Sequence, residues 1–109
     1  MTLPRSEKAG VTRVTRRFAK NLVSLRRRSD LSQTAAAERA GLHRTEISLL
    51  ERGLRVPRLS TIIRVAGGLE GEPCDLFAEM AWRLDRSRLY AKPPPESYEI
   101  KVGNRWEEA

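Results

Sequence analysis

The chain has 109 residues, 39% of them hydrophobic, which suits one domain with a modest core. One cysteine, Cys74, and one histidine, His43, exclude an internal disulfide and a zinc-binding Cys/His cluster, so no metal and no cofactor is expected. The net charge of +7 is uneven: residues 1–58 hold 14 Lys/Arg and 5 Asp/Glu, residues 59–109 hold 7 and 9, and the basic front half suits a polyanionic partner.

Residues 1–10 carry Pro4 and Gly10 and no periodicity, and read as a flexible basic arm. They contain no apolar leader core, and no stretch approaches the ~20 apolar residues of a membrane span, so a cytoplasmic chain without membrane attachment is expected. Val11, Val14, Phe18, Leu22 and Leu25 recur at helical spacing and predict a first helix over about 11–28. Ser32 is a good N-cap for a second helix, QTAAAERA, which Gly41 ends at a left-handed position. A third helix follows over Arg44–Arg52, preceded by Leu42 or His43 and stopped by Gly53. Ile47 and Leu50 form its inner seam, joined by the stem of Glu51 or by Leu54.

Arg55-Val56-Pro57-Arg58 reads as a loop. Ser60 is the expected cap of a fourth helix with Ile62, Ile63, Val65 and Ala66 inward, fraying at Gly67-Gly68. Pro73 opens a fifth helix, with Leu76, Phe77, Met80, Ala81 and Leu84 on one side, ending between Trp82 and Tyr90. Pro93-Pro94-Pro95 forbids helix. Beyond it Tyr98, Ile100 and Val102 alternate with Glu99 and Lys101, the period of a short strand. The expected domains are the arm 1–10, a helical domain 11–88, and a Pro-containing extension 89–109 for dimerisation or partner binding.

Two short helices joined at Gly41, with the small Ala37 where they cross, describe a helix-turn-helix. The spacing of Leu22, Arg26, Leu31-Ser32-Gln33, Ala37, Gly41, Ile47, Glu51-Arg52-Gly53, Pro57 and Thr61 resembles the phage-repressor/Cro-like (Xre-type) helix-turn-helix family over about residues 15–78. The resemblance implies an all-α, five-helix repressor-like domain, here followed by an extended tail with room for a short strand. It implies that residues 44–52 form the recognition helix and that Gln33, at the start of the second helix, meets a phosphate. It also implies that Arg26 and Glu51 form a structural salt bridge between the first and third helices.

The residues expected to face double-stranded DNA are Gln33, Thr34, His43, Arg44, Thr45, Glu46, Ser48, Leu49, Arg52, Arg55 and Arg58. Arg44 can fork onto guanine O6 and N7 or touch phosphate alone, and Thr45 can offer its hydroxyl or its methyl. Leu49 offers only apolar contact. His43 reads more simply as a turn residue. Glu46 can accept from cytosine N4, restrain Arg44, or face water. Arg55 and Arg58 suit phosphate.

No nucleophile–base pair, phosphate-cradling glycine loop or carboxylate cluster suggests an enzyme. The reading is a sequence-specific DNA-binding regulator, a repressor acting as a homodimer on a two-fold operator. The alternative is an antitoxin that holds a toxin or other protein through its tail and represses its own promoter. Leu76, Phe77, Met80, Trp82, Leu84, Tyr98, Ile100, Val102 and Trp106 are the expected dimerisation residues, because they exceed what one small helical core needs.

Overall fold

The computed structural model describes the backbone of residues 5–84, 98–102 and 104–108, and the side chains of residues 12–81, 101, 104 and 105. The helices are α1 (Arg5–Arg28), α2 (Gln33–Ala40), α3 (Arg44–Glu51), α4 (Leu59–Gly68) and α5 (Pro73–Leu76), followed by strands β1 (Met80–Leu84), β2 (Tyr98–Val102) and β3 (Arg105–Glu108). Thr15–Ala78 form one compact unit, and Met1–Val14 with Glu79–Ala109 form a second.

In the first unit, Phe18, Leu22 and Leu25 recur every three or four residues on α1 and are all buried. They share the core with Ala36, Ala37 and Ala40 of α2, Ile47 and Leu50 of α3, Ile62, Val65 and Ala66 of α4, Leu69 and Leu76. The alanines of α2 let its neighbours approach closely, and Gly68 of α4 does the same from the other side. A Cβ on Gly68 would lie 2.8 Å from the Arg39 carbonyl carbon and 2.9 Å from the Ala40 nitrogen. Gly67-Gly68, expected as a frayed end, is therefore helical, and Gly68 is the point where α4 meets the backbone of α2.

α1, α2, α3 and α4 end in the same way, with two crossed amide-to-carbonyl bonds around a left-handed residue. At Gly41 (φ 70°) these are Gly41 N–H to Glu38 O and Leu42 N–H to Ala37 O. Asp30 and Glu70 take the left-handed position after α1 and α4 without being glycine.

Several boundaries differ from expectation. α1 begins at Arg5, so residues 5–10 of the expected arm are helical. α4 takes Arg58, not Ser60, as its N-cap. Ile63, expected inward, and Leu54, expected on the α3 seam, are 55% and 65% exposed. The largest difference is the fifth helix, which stops at Leu76. The amide of Asn21 on α1 donates to the carbonyls of Leu76 (3.0 Å) and Ala78 (2.9 Å), occupying acceptors at the helix end, and Glu79 then turns the chain with φ 61°. Met80, Trp82 and Leu84 are thus strand residues. A short apolar run fits either period, and here alternation prevails over helical spacing.

The second unit contains a three-stranded antiparallel sheet in the order β1-β2-β3. Met80 lies opposite Val102 and Leu84 opposite Tyr98, while Val102 lies opposite Arg105 and Glu99 opposite Glu108. The strand expected at Tyr98–Val102 is β2. Leu89, Tyr90 and Pro93-Pro94-Pro95 lie outside the described residues.

Candidate nucleic-acid interface

α3 presents two different faces. At about 100° per residue, Arg44, Ser48, Arg52, Thr45 and Leu49 fall within an arc of roughly 140°, Ile47 and Leu50 fall on the opposite side, and Glu51 borders the arc beside Arg44. The burial follows that division. Ile47 and Leu50 are fully buried, Arg44, Thr45 and Arg52 are exposed, and Ser48 and Leu49 are half-buried. A helix locked from behind by two apolar side chains thus offers two guanidinium groups, two hydroxyls and one leucine on its outer face. His43 is the exposed N-cap of α3, and its side chain makes no capping hydrogen bond. Arg52 donates from Nε to the Ser48 carbonyl (3.3 Å), near the end of the helix.

The angle between α2 and α3 is held from within. Arg26 on α1 donates from Nε to Glu51 Oε2 (2.7 Å) and from a terminal nitrogen to Glu51 Oε1 (2.8 Å). Its other terminal nitrogen donates to the Leu31 carbonyl (2.9 Å), just before the cap of α2. Hydrogen bonding to Glu51 raises the Arg26 pKa, burial opposes this, and the carboxylate's charge adds to the rise. Gln33 donates from Nε2 to the same Glu51 Oε1 (3.3 Å), so the side chain expected at a phosphate is tethered to the ion pair. Ser32 caps α2 by accepting from the Ala35 amide (3.0 Å). The first-turn amides of Gln33 and Thr34 have no helical acceptor, the ordinary condition of a helix start and a suitable one for an anion. Thr34 is exposed there.

Glu46 sits away from the outer arc of α3. It lines a cleft of about 680 Å³ with Leu42, Arg55, Val56, Arg58, Ser60, Thr61 and Arg64. The cleft joins the expected phosphate residues Arg55 and Arg58 to the first turns of α4. Arg64 was absent from the sequence-based site. Its signal was its place four residues after Ser60, on the same side of α4. Among the described residues, none of Arg44, Arg52, Arg55, Arg58 and Arg64 forms an ion pair, whereas Arg28 and Arg39 lie near Asp75 and Glu70. Among the described residues, five arginines on α3, its following loop and α4 thus have no carboxylate partner. Among the described residues no group of His, Cys, Asp and Glu could hold a metal, and no helix is long and apolar enough to cross a membrane.

Of the expected dimerisation residues, Leu76 is fully buried in the helical core and is not available to a partner. Phe77 is 42% exposed. Met80, Trp82, Leu84, Tyr98, Ile100 and Val102 fall on one face of the sheet by register, and Trp106, opposite Lys101, falls on the other.

A family model described as a helix-turn-helix domain matches residues 17–76. The chain belongs to this helix-turn-helix family. It is of the Xre/Cro-like type, whose members are DNA-binding transcription regulators. Solved structures that resemble this helix-turn-helix chain include the following three. The restriction-modification controller protein C.AhdI from Aeromonas hydrophila is 36% identical with a TM-score of 0.57, over 58% of this chain and 96% of that one. An HTH_3 family transcriptional regulator from Vibrio cholerae is 29% identical with a TM-score of 0.60, over 62% of this chain and 38% of that one. The hypothetical transcription factor NHTF from Neisseria is 28% identical with a TM-score of 0.56, over 70% of this chain and 82% of that one. No curated relative matches the chain.

Proposed function

We propose that this protein is a cytoplasmic, sequence-specific regulator of transcription, a repressor that binds double-stranded DNA as a homodimer on a two-fold operator, and not a catalyst. The observation that carries this reading is the outer arc of α3, where Arg44, Thr45, Ser48 and Leu49 are backed by the fully buried Ile47 and Leu50. A rigid helix with that surface fits a major groove. Arg44 has the donors to fork onto guanine, Thr45 and Ser48 have hydroxyls for base edges or phosphates, and Leu49 can meet a thymine methyl. The start of α2 with Gln33 and Thr34 grips one side of the groove through phosphate. Arg55, Arg58 and Arg64 grip the other, next to the first turn of α4. Two copies supply two half-sites about one helical turn apart, giving affinity that one small module lacks.

Binding selection from a random duplex pool tests the reading. The expected product is an enriched motif with two-fold symmetry, and equal recovery of all duplexes would overturn it. An antitoxin reading draws on the second unit, whose sheet lies beyond the matched stretch 17–76. Stable capture of a co-encoded toxin by the full chain would favour that reading.

A further inference from the structure

The sheet has two unlike faces. Cross-strand partners share a face, and alternate residues along a strand do too. One face therefore holds Met80, Trp82 and Leu84 of β1, Tyr98, Ile100 and Val102 of β2, and Arg105 and Glu107 of β3. The other holds Ala81, Arg83, Glu99, Lys101, Trp106 and Glu108. A small antiparallel sheet with one such apolar face requires a cover, because a lone ribbon layer is marginal in water. The helical stretch in the same unit, Arg5–Val14, carries only Ala9, Val11 and Val14 as apolar residues, against a face with a tryptophan and a tyrosine.

We infer that this apolar face is a self-association surface and that its occupant is the same face of a second copy. The inference rests on the homodimeric reading and names the surface that builds it. Three features favour a second copy over an unlike partner. Residues 79–109 hold six basic and six acidic side chains, so two copies meet there without net repulsion, although the whole chain carries +7. Arg105 and Glu107 border the face along β3 with opposite charges, which a two-fold axis can set against each other. The six apolar residues include a tryptophan and a tyrosine, the residue types that anchor stable protein–protein interfaces. Two such faces would pack as a small sandwich about 10 Å deep, with Ile100, central on the middle strand, near the axis.

Directed cross-linking in the full chain tests this, with exposed Cys74 replaced by serine to remove stray disulfides. Ile100→Cys is expected to form an intermolecular disulfide under mild oxidation, and Lys101→Cys, on the other face, is not. Sedimentation equilibrium supplies the second readout. Trp82→Lys should weaken the dimer by about 30-fold or more, and Trp106→Lys should change it little. Equal cross-linking at both positions, no cross-linking at Ile100→Cys, or a monomeric parent chain would overturn the inference. A monomeric parent would also assign the face to a different protein. If that monomer still selects a DNA motif, the regulatory reading stands without this surface. A dimer through this face with no sequence preference would have the opposite meaning.

Discussion

Arg26 on α1 and Glu51 on α3 are joined by two hydrogen bonds, 2.7 and 2.8 Å, with the carboxylate side chain only 5% exposed. Gln33 on α2 is the carboxylate's third donor. One ion pair thus ties together the three helices that set the angle of the helix-turn-helix. Arg26→Ala should destabilise the domain by about 3–5 kcal/mol, because it leaves a buried charge whose remaining side-chain donor is neutral. Removing both charges with apolar residues should cost much less. Urea unfolding of the single and double variants checks this. A folded-state pKa raised on a cation adds stability that is lost only as pH climbs through that value, so the Arg26 contribution persists across the ordinary pH range.

Gly67 and Gly68 should separate cleanly. Gly68→Ala places a Cβ within 3 Å of the α2 backbone and should cost about 1–3 kcal/mol through strain. At Gly67 a Cβ meets nothing within 4 Å, and alanine should stabilise α4 by up to about 1 kcal/mol. Thermal denaturation of the two variants gives the comparison, which should have opposite signs.

Asn21→Leu should destabilise the same unit, by roughly 1–3 kcal/mol, since it strands the Leu76 and Ala78 carbonyls near the core. Amide exchange at residues 73–79 should quicken in this variant more than exchange in α2 and α3.

Much of the helical unit was legible in the chain itself. Ser32, Ala37, Gly41, Ile47 and Gly53 each answer a local steric or capping demand, and the bounds of α2 and α3 follow from them. What escaped was decided by partners distant in sequence. Asn21 ends α5 from 55 residues away, and nothing near Leu76 announces it. Gly68 resembled a helix terminator until the backbone of α2 lay against it. Met80, Trp82 and Leu84 fit a helix or a strand, and pairing with Tyr98–Val102 settled the matter. At the candidate site, α3 was readable from its own period, whereas Arg64 joined Arg55 and Arg58 only through the packing of α4 beside the loop.

Arg44→Ala should weaken specific binding by about 1–3 kcal/mol and relax preference at one base pair. Arg58→Ala and Arg64→Ala should instead weaken binding to all duplexes alike and flatten the salt dependence. Competition titrations against single-base variants of the selected site distinguish the two patterns.

With about 6 phosphate contacts per dimer, log K against log salt should fall with a slope near −5. Fluorescence anisotropy across a salt series measures it. A slope near zero would remove the unpaired arginines from the interface.

The central claim is that the outer arc of α3 reads base sequence. Its most direct test is the ratio of dissociation constants for the selected duplex and a shuffled duplex of equal composition, at one fixed salt concentration. The account predicts a preference of about 10³-fold or more for the selected duplex, reduced when Arg44 is replaced. A ratio near one, unchanged by that replacement, would contradict it.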